Sequence, residues 1–124
     1  MREMIRVYIA SPYSAGDQEE NVKRAMGVFD QLVHYGFAPY APLLSRYQHK
    51  YYPLPYEKWL ELDIEWLRAC HILLRLPGES EGADRECRAM KKMNKPVIYT
   101  PIDILSSDMI DRIVRGAEPY VRFY

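Results

Sequence analysis

The sequence predicts a single α/β domain in which helices cover both faces of a parallel sheet of about five strands. Its 124 residues match the size of one ordinary domain. Hydrophobic residues make up 48% of the chain and charged residues 27%, a balance typical of a folded protein in water. Short apolar runs alternate with amphipathic helical segments, and this alternation is typical of strand–helix–strand units in a parallel sheet.

The first half of the chain predicts two strands, one long helix and one loop. Residues 5–10 (IRVYIA) are apolar and β-branched, which predicts a strand that ends at SPYSAG. Apolar residues at helical spacing then predict a helix that begins with a cap at Asp17 and stops at Gly36. Residues 37–42 predict a second short strand. Residues 43–56 predict an aromatic loop, and a loop of this length in a small domain is usually functional.

The second half predicts three helices that alternate with three strands. In chain order these are a helix over residues 56–70, a strand over 71–77, a helix over 83–94, a strand over 95–101, a helix over 106–116 and a final strand over 119–124. Ligands of such sheets bind beyond the carboxyl ends of the strands. We therefore expect a site among the loops of residues 11–16, 77–84 and 100–107.

Charge and cysteine content argue against several classes of protein. Seventeen basic residues balance 17 acidic ones, so no overall field attracts nucleic acid or an anionic membrane. No signal peptide and no apolar run of about 18 residues is found, so we expect a cytoplasmic protein without a membrane partner. Cys70 and Cys87 lack the spacing of a metal site, and we expect no metal.

Two carboxylates occupy positions that should face the protein interior. Asp63 lies within the apolar stripe of its predicted helix, and Glu86 falls between Ala83 and Met90 on the buried side of another. A buried carboxylate is costly unless it is paired or used. One interpretation is structural: Asp63 bonds a tyrosine or arginine at the edge of the stripe, and Glu86 stabilises a helix N-terminus. The other is a pair of acids directed into a cleft, with raised pKa values.

The second interpretation predicts glycosidic chemistry. Two carboxylates converging on one sheet edge are the minimum apparatus for splitting a glycosidic bond, and a retaining mechanism needs them about 5 Å apart. The loop before Glu86 adds a hydroxyl at Ser80, a permissive glycine at Gly82 and free N–H groups at a helix N-terminus. Such a set commonly holds a phosphate or a sugar hydroxyl.

Four further residues are candidates for substrate contacts on weaker grounds. Ser11, Tyr13 and Ser14 follow the first strand, although an ordinary turn explains them equally well, and their loop has neither a Walker nor a dinucleotide motif. Ser107 precedes the last helix, where a serine is first of all an N-cap.

Arg75 lies late in an apolar strand and needs an anionic partner, for which Asp84 and a substrate are equal candidates.

The motifs VYIASPYS, LDIEWLRAC and SEGADRE followed by NKPVIY resemble the nucleoside 2-deoxyribosyltransferase superfamily, which includes the 2'-deoxynucleoside 5'-monophosphate N-hydrolases. The resemblance spans about residues 6–99, with a weaker match in LSSDMI. It implies a flavodoxin-like three-layer fold, a homodimer or higher homo-oligomer, no cofactor, and cleavage of an N-glycosidic bond. By the same resemblance, Glu86 is the nucleophile, Asp63 the acid on the base side, and Tyr8 an aromatic residue of the pocket.

The sequence departs from the family pattern at two places near the expected 5' end of the substrate. Asp84 and Arg85 stand where relatives often have small or apolar residues, and Pro12 interrupts the family's phosphate-binding turn. Ser80 stands where related transferases of unphosphorylated nucleosides carry an acid, and a serine can donate to a phosphate. Against a phosphate stand the acids of this loop, Glu79 among them.

We therefore expect a small-molecule nucleoside or nucleotide as the partner, and a nucleoside 5'-monophosphate, ribo or 2'-deoxyribo, as the substrate. The bond is cleaved through a covalent intermediate on Glu86 that water resolves. Two alternatives stay open at this point. One is a 2-deoxyribosyltransferase that exchanges the base of an unphosphorylated deoxynucleoside, and the other is a nucleotide-binding module without catalysis.

Overall fold

The fold is an α/β arrangement built on a four-stranded parallel sheet, in a computed structural model that describes residues 1–42, 44–101 and 103–123. The strand order is β2-β1-β3-β4. The strands are β1 (Arg6–Ala10), β2 (Ala38–Tyr40), β3 (Ile72–Arg75) and β4 (Val97–Tyr99). The described residues thus contain four strands, and the expected number of about five is wrong.

The missing strand is the one expected over residues 119–124. Glu118–Tyr120 instead forms a turn of 3-10 helix, in which Pro119 suits the first positions of a helix and cannot donate to a sheet. Phe123 makes a single antiparallel bridge to Arg2, and Tyr124 lies outside the described residues. The chain end therefore contacts the chain start without extending the parallel sheet.

Five helices lie within the described residues, and four of them match the sequence expectation. They are α1 (Gln18–His34), α2 (Leu44–Tyr51), α3 (Tyr56–Ala69), α4 (Glu81–Lys92) and α5 (Ser107–Ala117). The cap expected at Asp17 is confirmed, because its carboxylate accepts from the backbone N–H groups of Glu19 and Glu20. No helix within the described ranges combines the length and apolar character needed to cross a membrane.

The segment over residues 43–56, which the sequence predicted as a long aromatic loop, contains helix α2, so that prediction is wrong. Between Pro42 and Pro53 the sequence has no glycine or proline, and it includes leucine, arginine, glutamine and lysine, which all favour helix. The prolines therefore bound a short helix, and only a few residues remain to connect it to α3. Leu43, the first residue of the expected loop, lies outside the described residues.

Alternation along the strands divides the core into two apolar clusters, one on each face of the sheet. Val7 and Ile9 of β1 face α1 and α5, in a cluster that includes Leu32 and Ile113. Tyr8 faces the other way and packs in the second cluster, with side chains of α3 and α4. Helices thus cover both faces, and Tyr8 lies on the face that carries α3 and α4.

The strand order creates a crevice at the carboxyl ends of β1 and β3. The chain moves from β1 to β2 in one direction and from β3 to β4 in the other, and ligands bind in open α/β sheets where the direction reverses. The loops after β1 and β3 meet there. A Cβ atom on Gly78 would lie 2.9 Å from the Cγ atom of Pro12, and the φ angle of Gly78 is +115°. Only glycine fits this contact without strain.

Candidate active site

A cavity of about 750 Å³ opens at this crevice. Its wall is formed by the loop after β1, the beginning of α1, helix α2, one face of α3, the loop after β3 and the first turns of α4. A cavity of this volume is large enough for a nucleotide-sized molecule. Both carboxylates singled out in the sequence, Asp63 and Glu86, line it.

Glu86 lies in the second turn of α4 and is only 6% exposed. Ser80 caps the N-terminus of α4, whose apolar side is buried through Ala83, Cys87 and Met90, so Glu86 enters the interior with them. The pKa of Glu86 is raised to about 8, chiefly by burial and also by the charge of Asp63. The hydroxyl of Tyr8 donates to the Glu86 carboxylate and acts in the opposite direction, lowering that pKa.

Asp63 lies in the middle of α3 and is half-buried at the cavity wall. Burial raises its pKa to about 6. Its charge raises the pKa values of both Glu86 and Tyr8, so the two carboxyl groups are electrostatically coupled. The structure therefore brings Asp63 and Glu86 together at one cavity, although they belong to different helices.

The two raised pKa values give the pair a defined charge at neutral pH. Below about pH 6 both carboxyl groups of Asp63 and Glu86 hold a proton, and above about pH 8 both are ionised. Between these values the pair holds one proton, which resides mainly on the more deeply buried Glu86. A coupled pair of this kind can act as base and acid in one reaction.

Tyr8 occupies a different place from the expected one. It is fully buried and does not line the cavity, because its alternating position on the central strand β1 directs it under the first turns of α4. Burial, and then the charge of Glu86, raises the pKa of Tyr8 well above its usual value, so its hydroxyl keeps its proton. Tyr8 is thus a hydrogen-bond donor that positions Glu86, and the prediction of a pocket wall is corrected.

Three residues of the loop after β1 line the cavity as the sequence suggested, namely Ser11, Tyr13 and Ser14. The side-chain amide of Asn21, a buried residue of α1, donates to the carbonyl oxygens of Tyr13 at 3.1 Å and Ala15 at 2.7 Å. These bonds fix the loop against α1. Asn21 was missed in the sequence because a single asparagine in a helix gives no local signal of such a role.

Ser80 and Gly82 also line the cavity at the N-terminus of α4. The Oγ atom of Ser80 accepts from the backbone N–H of Ala83 at 3.1 Å, and this capping bond leaves the hydroxyl proton of Ser80 available to a ligand. Gly82 carries no side chain that would restrict access to the first helical turn. This corner of the cavity can therefore accept an oxygen-rich group.

Ser107 is not among the residues that line the cavity. It is the exposed first residue of α5, and the cap of that helix is Ser106, whose Oγ accepts from Met109 N–H at 3.2 Å. Helix α5 follows the edge strand β4, whereas the cavity is formed by elements that follow the other three strands. Ser107 therefore lies away from this cavity, and its contact with a substrate stays a prediction.

Helix α2 contributes three cavity residues that the sequence analysis did not single out, Ser45, Arg46 and His49. Arg46 forms an ion pair with Glu19 of α1, with 2.7 Å between Nη2 and Oε1. The Nδ1 atom of His49 accepts from Trp59 Nε1 at 2.9 Å and from the backbone N–H of Leu54 at 3.1 Å. Helix α2 is thereby tied to α1 and α3 over the cavity.

Two arginines near the start of α4 form ion pairs with acidic residues of this helix. Arg75 is buried, and its Nη2 atom lies 3.0 Å from Oδ1 of Asp84, which was one of the two partners considered for it. Arg85 and Glu81 form a second pair at 3.2 Å. Neither arginine lines the cavity. Within the described ranges, no three histidine, cysteine or acidic side chains gather in a way that could hold a metal ion.

Fold and cavity together define an α/β protein with a coupled carboxylate pair at the carboxyl edge of a parallel sheet. Residues 5–100 match the model of a family described as a domain of unknown function, DUF7768, and the chain belongs to that family. No curated protein gives a significant match to the sequence.

Proposed function

We propose that this protein cleaves the N-glycosidic bond of a nucleoside 5'-monophosphate, ribo or 2'-deoxyribo, through a glycosyl ester on Glu86 that water resolves. One observation carries the proposal: Glu86 and Asp63, both with raised pKa values, line a single cavity of about 750 Å³. The resemblance to nucleotide N-hydrolases supports it. The order β2-β1-β3-β4 also matches the first four positions of the flavodoxin-like order, and we propose that fold.

In the first step the Glu86 carboxylate attacks the anomeric carbon of the sugar. The bond from that carbon to the base nitrogen breaks, its electron pair goes to the base, and Asp63 supplies the proton that the departing base takes up. In the second step water attacks the same carbon, Asp63 accepts a proton from the water, and Glu86 leaves as a carboxylate. The products are a free base and a sugar 5-phosphate, and both acids return to their starting states.

The proton shared by the pair must change place for the first step. In the free protein the proton resides mainly on Glu86, whose pKa is raised to about 8, whereas the pKa of Asp63 is about 6. Transfer of this proton from Glu86 to Asp63 creates the nucleophile and the acid together. The Tyr8 hydroxyl, which donates to Glu86, stabilises the carboxylate that results.

The remaining cavity residues suit the other parts of a nucleotide. Tyr56 and Trp59 of α3 line the cavity beside Asp63 and offer aromatic faces to a base. Ser80, with the first turn of α4, and Ser14 offer donors to a phosphate. Because the two groups come from different elements, we propose that the sugar lies between them, next to the acids.

A second candidate function is base exchange on an unphosphorylated deoxynucleoside. Glu79 and Glu81 line the cavity at its α4 end, and carboxylates there favour a sugar hydroxyl over a phosphate. The first chemical step is the same, and a second base takes the place of water in the next one. As the resemblance implies, we also propose a homodimer or higher homo-oligomer, for which light scattering of the purified protein is the test.

The experiment is to incubate the protein with nucleosides and their 5'-monophosphates, with and without a free acceptor base, and to separate the products by chromatography. We expect free base and sugar phosphate from at least one monophosphate, and complete loss of this activity in Glu86→Gln. Glu65→Gln is the matched control, because Glu65 is exposed on α3 and does not line the cavity.

Two other outcomes of this incubation would each support a different function. Product only in the presence of an acceptor base selects the transferase, and tight binding of monophosphates without any base release selects a non-catalytic module. Undiminished turnover by Glu86→Gln contradicts the covalent mechanism whatever the substrate.

A further inference from the structure

In the described part of the cavity wall, the acidic side chains outnumber its one arginine. Among the described residues that line it, the acidic side chains are Asp63, Glu79, Glu81 and Glu86, of which the Asp63–Glu86 pair shares one proton at neutral pH, and Arg46 provides a guanidinium. A nucleoside 5'-monophosphate carries about two negative charges at neutral pH. Such a ligand would be repelled by this wall unless a cation lies close to its phosphate.

Two other arginines close to this end of the sheet, Arg75 and Arg85, form ion pairs. Arg75 pairs with Asp84 and also donates to the carbonyl oxygen of Leu76, and Arg85 pairs with Glu81. The Nε atom of Arg75 also has no hydrogen-bond partner within the described part of the chain, but neither Arg75 nor Arg85 lines the cavity. Arg46 is therefore the described cation with direct access to the ligand.

Arg46 is only partly used by the protein. Its Nη2 atom pairs with Glu19 at 2.7 Å, whereas its Nη1 atom is shielded from solvent and has no hydrogen-bond partner within the described part of the chain. The side chain as a whole is 23% exposed. A guanidinium offers five N–H donors in a planar fork, so one edge can bind a carboxylate while another binds an oxyanion. An unsatisfied buried donor is unfavourable, and a ligand oxygen would relieve it.

We propose that Arg46 binds the 5'-phosphate and is the residue that makes this cavity select phosphorylated over unphosphorylated nucleosides. This inference rests on the proposed function. Arg46 lies close enough to Tyr13 for the two to interact electrostatically, so the guanidinium stands beside the loop after β1. The phosphate then lies between that loop, with Ser14, and the cation on α2.

The test compares Arg46→Gln, Arg46→Lys and Glu19→Gln with the wild type. For each protein, kcat/KM is measured with the four 2'-deoxynucleoside 5'-monophosphates and with the matching nucleosides. In Arg46→Gln we expect the ratio of monophosphate to nucleoside kcat/KM to fall about ten- to hundredfold, the range for a hydrogen bond to a charged group. The fall should appear mainly in KM, and Arg46→Lys should fall less because it keeps the charge and loses the fork.

Glu19→Gln separates phosphate binding from a structural role. If Arg46 served only to hold α2 against α1, removing its partner would lower the ratio as much as removing Arg46, and that result would overturn the inference. We expect Glu19→Gln to keep the wild-type ratio. An equal fall for nucleosides and monophosphates in Arg46→Gln would overturn it as well, while leaving the proposed glycosidic activity intact.

A binding measurement keeps the two proposals distinguishable. Calorimetry with a 2'-deoxynucleoside 5'-monophosphate, and with inorganic phosphate alone, requires no turnover. A wild-type protein that releases no base but loses monophosphate affinity in Arg46→Gln would contradict the catalytic proposal and support the phosphate site. A protein that releases base, but binds monophosphate equally well with and without Arg46, would support the catalytic proposal and contradict the phosphate site.

Discussion

At the scale of single residues, the site depends on a carboxylate held in an unfavourable place. Glu86 is 6% exposed, and its hydrogen bond from Tyr8 comes from a side chain that is itself fully buried. Burial raises the pKa of Glu86, and the donated hydrogen bond lowers it. The balance leaves the group able to change its protonation state near neutral pH, which a general acid or a nucleophile requires.

The pH dependence of the activity follows from this balance. We expect a bell-shaped profile of kcat/KM with limbs near pH 6 and pH 8, because only the singly protonated pair holds both a proton and a charge. Tyr8→Phe removes the donor to Glu86 while keeping the ring. This should raise the pKa of Glu86, move the upper limb to higher pH and lower the maximum about tenfold.

Two results would contradict this account, one for Tyr8 and one for the acid pair. One is a profile in Tyr8→Phe with an unmoved upper limb, which would mean that the hydroxyl does not act on Glu86. The other is a monotonic profile in the wild type, which would mean that one of the two acids is not used. Both come from initial rates measured between about pH 5 and pH 9, a range that includes both limbs.

At the scale of elements, the cavity requires two loops to approach each other closely. Gly78, in the loop after β3, lies against Pro12, in the loop after β1, with a backbone conformation that side chains rarely adopt. Pro12 was expected to disturb a phosphate-binding turn, and the structure shows it as the contact surface for the neighbouring loop. The sequence shows the proline and the glycine but not their contact.

Substituting Gly78 tests this contact. Gly78→Ala places a methyl group 2.9 Å from Pro12 and forces a strained φ angle, so we expect a loss of about 1–3 kcal/mol in unfolding free energy and a lower kcat/KM. Gly36→Ala is the matched control, since Gly36 also has a positive φ but nothing lies within 4 Å of its added Cβ. Equal effects of the two changes on stability and kcat/KM would contradict a role for the loop contact.

At the scale of the whole molecule, the buried acid should lower stability at high pH. The pKa of Glu86 is raised from its usual 4.5 to about 8 in the folded state, so the folded protein binds the proton more tightly than the unfolded chain does. The contribution of Glu86 to the free energy of unfolding is therefore fully present below about pH 4.5. It is lost as the pH rises to about 8. Each pKa unit corresponds to about 1.4 kcal/mol.

The measurement is urea unfolding of the wild type and Glu86→Gln across this pH range. Glutamine cannot ionise, so the variant should gain stability relative to the wild type by about 3 kcal/mol between pH 5 and pH 8. Glu65→Gln, exposed on α3, should show no such trend. Parallel curves for the wild type and Glu86→Gln would mean that the folded protein does not hold the Glu86 proton as described.

The sequence by itself determined the α/β class, the parallel sheet and the position of most helices, because strand and helix periods differ and are local properties. It also placed Asp63 and Glu86 on apolar helix faces, since a helix period assigns each residue to a side. The tertiary structure alone decided that the two acids share one cavity, that Tyr8 supports Glu86 and that α2 brings Arg46 to the same wall. These facts depend on which elements become neighbours, and long-range packing determines that.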